Sequence, residues 1–232
     1  MKTTLSVGLP SYKEVRTNLG VAWRNSPATV LLVACCVGWF LLMQSITGHT
    51  PVGDVRAGAL VVGAVWRGHI YEFVSSLFVH ASWLHLLVNM ISLWSLRIVE
   101  QIFRWRFFLV VYVLAGIVGN LISVFFYSPG TILLGASGAI FGIFGVILVM
   151  SYLGLFTKRT TYWIWFLLAV NLLFDLVQPQ INILAHLGGL ICGAGLLFLF
   201  RNFGNRHMVW KGASYVCIVL IGLAWIGVCA RL

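Results

Sequence analysis

Charge is scarce in this chain, and negative charge scarcest of all. Of 232 residues, 9% are Asp, Glu, Lys or Arg, and five of these are acids. A soluble domain carries about a quarter charged residues. Water is therefore excluded as the solvent for most of the chain, and the length leaves no room for a second, soluble domain. Metal-ligand patterns are also missing. Cys35, Cys36, Cys192, Cys217 and Cys229 lie inside apolar runs without ligand spacing, so they read as small packing residues. No His-Glu-x-x-His string occurs. No small-x-small cleavage site closes the first apolar run, which begins near Ala28 and reads as a retained span rather than a removed signal.

What fills the chain is apolar: 61% of residues, with a mean hydropathy of +1.01. A spanning helix needs roughly 20 apolar residues. The runs fall at 28–46, 84–99, 107–127, 135–154, 161–177, 183–200 and 213–230, which predicts seven spans. Lys and Arg set the orientation. With the N-terminus cytoplasmic, the inner side receives Lys2, Lys13, Arg16, Arg24, Arg97, Arg104, Arg106, Lys158, Arg159, Arg201, Arg206 and Lys211. Only Arg56, Arg67 and Arg231 fall outside. This asymmetry accounts for the net charge of +10 without a nucleic-acid partner, and the loops are too short for a phosphate-binding face. Between spans one and two runs a long outer loop, 47–83. It holds a short apolar stretch, Ala57 to Val65, then Trp66, Tyr71, Phe73, Phe78 and Trp83, a density of aromatics that suits the membrane interface.

Polar groups at membrane depth are expensive and are functional candidates by default. Three sets stand out. His80, His85 and Asn89 open span two, Ser137 opens span four, and His186 opens span six. All three spans run from outside to inside, so segments distant in sequence bring Ser, His, His and Asn to one depth near the outer face. Glycines permit the approach. Gly138 and Gly142 stack on one face of span four, and Gly189 and Gly193 on one face of span six.

The chemistry follows from the residue types. A serine hydroxyl is a weak nucleophile until a neighbouring base takes its proton, and His186 can be that base for Ser137. The oxyanion of a tetrahedral intermediate needs fixed donors. The Ser137 N–H, the Asn89 amide and a His85 ring nitrogen are the candidates, and His85 and Asn89, four apart, share a helix face. Of the acids, Glu14 and Glu100 fall on the inner side, Asp54 and Glu72 in the outer loop, and Asp175 at the end of span five. None is clearly placed to complete a triad, so the expectation is a Ser–His dyad. Alone, each string has a plainer meaning. Gly-x-Ser-Gly is usually a helix-packing motif, a lone membrane His is usually a bonded core residue, and His80 with His85 would need a third ligand to hold a metal.

Taken together, the motifs resemble the rhomboid family. His80-Ala-Ser-Trp-Leu-His85-Leu-Leu-Val-Asn89 resembles its His-x4-His-x3-Asn signature. Leu134-Gly135-Ala136-Ser137-Gly138-Ala139-Ile140-Phe141-Gly142 resembles its nucleophile element, and Ala185-His186-x-x-Gly189-x-x-x-Gly193 its final-helix motif. The resemblance implies an all-α membrane protein. Residues 28–200 would form a six-helix rhomboid-like core, 1–27 a short cytoplasmic segment, and 201–232 a loop with one extra C-terminal transmembrane helix. It implies an intramembrane serine endopeptidase that cuts transmembrane protein substrates near the outer face, without metal or organic cofactor and with lipid as its surroundings, in the plasma or inner membrane if bacterial. Ser137 would be the nucleophile and His186 the base. His85 and Asn89 would be oxyanion donors, and His80 structural. Phe141 would pack on the His186 ring, and Gly135, Gly138 and Gly189 would support the site. One departure is visible. Where the family usually has Trp-Arg, nine and eight residues before His80, this chain has Tyr71 and Glu72, which reverses the sign of the partner required. A client-binding relative without catalysis, and a small transporter using His and Asn along a polar path, are the alternatives. The first is opposed by the intact dyad, the second by the apolar inner halves of spans four and six.

Overall fold

The structure is a computed structural model and describes residues 26–48, 50–177, 182–203 and 207–231. Most of the expected cytoplasmic segment 1–27, with its basic residues and Glu14, lies outside the described residues, as does the Asp175 side chain.

Ten helices and one two-stranded ribbon make up the described chain. In order they are α1 (Pro27–Thr47), α2 (Pro51–Arg56), β1 (Leu60–Val61), α3 (Val62–Val65), α4 (Glu72–Ser75) continuing into a 3₁₀ turn (Ser76–Phe78), α5 (Trp83–Ser95), α6 (Ile98–Phe126), β2 (Ile132–Leu133), α7 (Ser137–Tyr152), α8 (Lys158–Val177), α9 (Ile183–Phe203) and α10 (His207–Cys229). By length and apolarity, α1, α6, α9 through Phe200 and α10 from Met208 can each cross a membrane. The segment Glu72–Phe78 together with α5, bent by 94°, can make a fifth crossing. The chain is an integral, multi-pass membrane protein.

α7 is apolar but only 16 residues long, about 24 Å at 1.5 Å per residue. It can be short because it stands inside the bundle. Its residues from Gly138 to Ile147 are all buried, against α6 and α9. Two expected boundaries move. The run 84–99 is broken after Ser95, so Ile98 and Val99 belong to α6 rather than to the helix before it. α6 is itself kinked at Arg104, whose φ of 72° is the one positive value at a non-glycine residue among those described. The exposed Arg104 ends the first helical stretch before the apolar run resumes at Phe107.

Helix ends buried in the bundle need partners for their free N–H groups. At α1 the partner is Glu100 of α6, buried at 1% exposure. Its carboxylate accepts from Ala28 N and Thr29 N, both at 2.8 Å, and from Thr29 Oγ1 at 2.7 Å. α9 is capped by Asn182, whose Oδ1 accepts from Ala185 N at 2.9 Å and from Ser123 Oγ of α6 at 2.8 Å.

The long segment between α1 and α5 is folded rather than draped on the surface. The stretch Ala57 to Val65, expected at the membrane interface, is mostly buried. Leu60, Val62 and Val65 form a small core with Val124 and Leu133, because β1 pairs antiparallel with β2, Leu60 opposite Leu133 and Val61 opposite Ile132. Val52, Trp66, Ile70 and Trp83 are exposed, as interfacial residues would be. Polar anchors hold the segment down. Asn120 Nδ2 of α6 donates to Phe73 O and Ser76 Oγ, Tyr112 Oη donates to Leu77 O, and Ser75 Oγ donates to Gly58 O.

α7 and α9 meet through glycine. A Cβ on Gly189 would strike the Gly138 carbonyl, and one on Gly193 the Gly142 carbonyl. Backbone therefore rests on backbone, as the small-residue faces predicted. Gly193→Ala is expected to destabilise the protein by about 1–3 kcal/mol through overpacking. Gly195→Ala on the same helix, with nothing within 4 Å, should be neutral or stabilising by up to about 1 kcal/mol. Thermal unfolding in detergent compares the two.

Candidate active site

The α7–α9 contact puts the start of one helix beside the start of the other. Ser137 is the first residue of α7, and His186 lies in the first turn of α9. Their side chains are hydrogen-bonded, Ser137 Oγ to His186 Nε2 at 2.7 Å. His186 is 5% exposed, while Ser137 is half-buried. The imidazole is held flat. Phe141, one turn after Ser137, stacks on it with ring centroids 4.1 Å apart and planes within 1°. Next to His186, Ala185 packs against Gly138 of α7, where an added Cβ would stand 3.4 Å from the Ala185 Cβ.

Ser137 sits on a helix N-terminus without a side-chain cap, since Ala136 occupies the N-cap position. The first N–H groups of α7 are therefore available to developing negative charge, with the helix dipole behind them. Gly135 just before it has φ +112°, a conformation that suits glycine alone, and a Cβ there would stand 2.7 Å from His85 Cε1 and 2.8 Å from His85 Nε2. The Asn89 Nδ2 lies 3.9 Å from the same point. The turn preceding Ser137 thus lies against both side chains expected to stabilise an oxyanion. Asn89 is 2% exposed, and its Nδ2 has no hydrogen-bond partner among the described residues. A buried donor left unpaired is costly unless something is meant to occupy it.

His80 is buried at 2% exposure, with Nδ1 3.2 Å from Phe78 O and its ring edge-on to His85, centroids 5.2 Å apart. It braces His85 from the turn before α5. Of the acids, Glu100 is committed to the α1 N-terminus and Glu72 to Val61 N and Arg231. Among the described residues no group of three or more His, Cys, Asp or Glu is placed to hold a metal ion.

Sequence reasoning missed the outer support of the site. Ser76 O accepts from Gly135 N at 2.9 Å, and Ser76 Oγ is held by Asn120. Asn171 of α8 exchanges hydrogen bonds with Ser92 of α5 at 2.9 and 3.0 Å. The rule that flagged His85 and Asn89 applies equally to Asn120 and Asn171, polar residues inside apolar runs. The Glu72 departure is also resolved. Its cation comes from the far end of the chain, Arg231, at 2.7 Å, while Trp66 and Arg67 are exposed elsewhere on the loop.

A serine hydrogen-bonded to an imidazole, with the unpartnered Asn89 amide nearby, is an arrangement that can supply a serine nucleophile inside a helical membrane protein. Comparison with known proteins agrees with that class. The Rhomboid domain profile matches residues 67–203, more than half of the chain. The chain is 31% identical over 194 residues to the rhomboid protease GluP of Bacillus subtilis, covering 82% of this chain and 38% of that protein. It is 35% identical over 174 residues to the rhomboid-family protein YdcA of the same organism, covering 73% of this chain and 85% of that protein. Inactive rhomboid protein 1 of Danio rerio is 33% identical over 166 residues, 66% of this chain and 19% of that protein. The chain therefore belongs to the rhomboid family, whose named relatives include both proteases and an inactive member.

Gly135→Ala tests the turn. Forcing a Cβ into φ +112° and against the His85 ring costs about 1–2 kcal/mol in backbone strain alone. Labelling of Ser137 by a fluorophosphonate probe should slow at least about tenfold, on the scale that misplaced groups cost.

Proposed function

We propose that this chain is an active intramembrane serine endopeptidase that cuts transmembrane segments of membrane proteins near the extracytoplasmic face. The observation that carries the reading is the 2.7 Å hydrogen bond from Ser137 Oγ to His186 Nε2, between residues 49 apart in sequence.

In this mechanism His186 takes the Ser137 proton as the hydroxyl attacks the scissile carbonyl. The imidazolium then gives that proton to the leaving amine. The tetrahedral oxyanion is met by the Ser137 N–H, the Asn89 amide and the His85 ring, and the unpaired Asn89 Nδ2 supports this role. Phe141 keeps the imidazole in one plane through both transfers. Water entering from the outer side then hydrolyses the acyl-enzyme. A dyad serves here, with no carboxylate assigned behind His186.

The same reading takes the chain as a six-helix core over residues 28–200 with an added span in 201–232, and with the N-terminus inside. α5, α7, α8 and the bent segment before α5 then complete the spans that length and apolarity alone do not settle. The inactive relative raises the alternative of client binding without cleavage. The presence of both Ser137 and His186 in bonding contact favours catalysis.

Cleavage of a model single-span substrate by the wild type, Ser137→Ala and His186→Ala decides it. Both substitutions should reduce cleavage by about 10³-fold or more, and chelators should have no effect. Undiminished cleavage by Ser137→Ala would sink the mechanism.

A further inference from the structure

The end of α10 is fastened to the segment that shapes the nucleophile turn. Glu72, with no exposed surface, is the junction. Its Oε1 lies 2.7 Å from Arg231 Nη1, and its Oε2 accepts from Val61 N at 2.9 Å. His69 Nδ1 stands 3.5 Å from the same Oε1. The Arg231 guanidinium also lies over the Tyr71 ring, 4.9 Å from its centroid. Gly227, one turn earlier on α10, is what lets that ring lie against the helix, because a Cβ there would stand 2.8 Å from Tyr71 Cγ.

Two covalently short routes lead from Glu72 to Ser137. Through Val61, Glu72 holds β1, and Val61 is opposite Ile132 in β2. β2 ends at Leu133, two residues before Gly135. Through its own helix, Glu72 precedes Ser76 by one turn, and Ser76 O accepts from Gly135 N. Both routes end on the glycine whose backbone lies against His85 and Asn89.

A buried carboxylate deprived of its cation does not stay where it was. It must take up a proton, draw in water or move, because an unpaired charge in a low-dielectric site is costly. Any of these loosens Val61 N and α4 together. We propose that Arg231 is a positioning residue for the Ser137 turn, acting through Glu72, so that α10 sets the geometry of a site it does not touch. The inference rests on the proposed serine-hydrolase function of that site.

The test uses the full chain, reconstituted in lipid vesicles, and the rate constant for fluorophosphonate labelling of Ser137. The rate constant reports site geometry, whereas the labelled amplitude reports how much protein is folded. Arg231→Ala should lower the rate constant about tenfold, and Arg231→Lys, which keeps the charge, should recover most of it. Glu72→Gln keeps an acceptor for Val61 N while removing the ion pair, and should show the loss even if Arg231→Ala fails to fold. Ser137-dependent labelling at an unchanged rate constant in Arg231→Ala or Glu72→Gln, whatever the amplitude, would overturn the inference while leaving the proposed function standing. A loss as deep in Arg231→Lys as in Arg231→Ala would overturn it too. Absence of Ser137 labelling in the wild type would overturn the proposed function and this inference with it.

Discussion

The backbone contact between α7 and α9 is the constraint on which the site depends. Gly138 and Gly142 on one helix face Gly189 and Gly193 on the other. With no side chain between them, the helices approach closely enough for the first residue of one to bond the first turn of the other. Hydrophobicity cannot drive this approach, since lipid tails are as apolar as the helix faces. Close packing has to do it, and that requires glycine where a larger residue would hold the helices apart. The Ser137–His186 hydrogen bond and the Phe141 stack are consequences of that spacing.

Around this contact, buried and half-buried polar groups fix the helices beside the apolar core. Glu100 caps α1, Asn182 caps α9, and Asn120 ties the 3₁₀ turn at Ser76 to α6. Each satisfies backbone groups that lipid could not, which is the condition for irregular chain at membrane depth. The segment between α1 and α5 shows the principle most fully. It is folded around β1 and β2, with Leu60, Val62 and Val65 buried. It then serves as a platform whose carbonyl at Ser76 receives the Gly135 N–H.

α10 joins this network at one charged point. Arg231, the last cation along the sequence, meets a fully buried Glu72, and Gly227 makes room for Tyr71 beside it. The added helix meets the segment before α5 at this ion pair, whereas α8 is bonded to α5 through Ser92 and Asn171.

Local pattern was enough for much of this protein. Long apolar runs announced helices in lipid, and polar residues at their starts announced a site, because both signals are carried by residues close together in sequence. The four-residue glycine spacing announced a close helix contact for the same reason. Tertiary structure alone decided the rest. That Glu100 caps a helix 71 residues away, that Glu72 is paired with Arg231 across 159 residues, and that Asn120 supports the Gly135 turn through Ser76 are meetings of distant segments. Nothing in the local sequence of an acid or an amide says which partner it will find. The break after Ser95 was hidden too, since the apolar run 84–99 continues across it, and the charged stretch before Phe107 did not say that α6 would start at Ile98 and kink at Arg104.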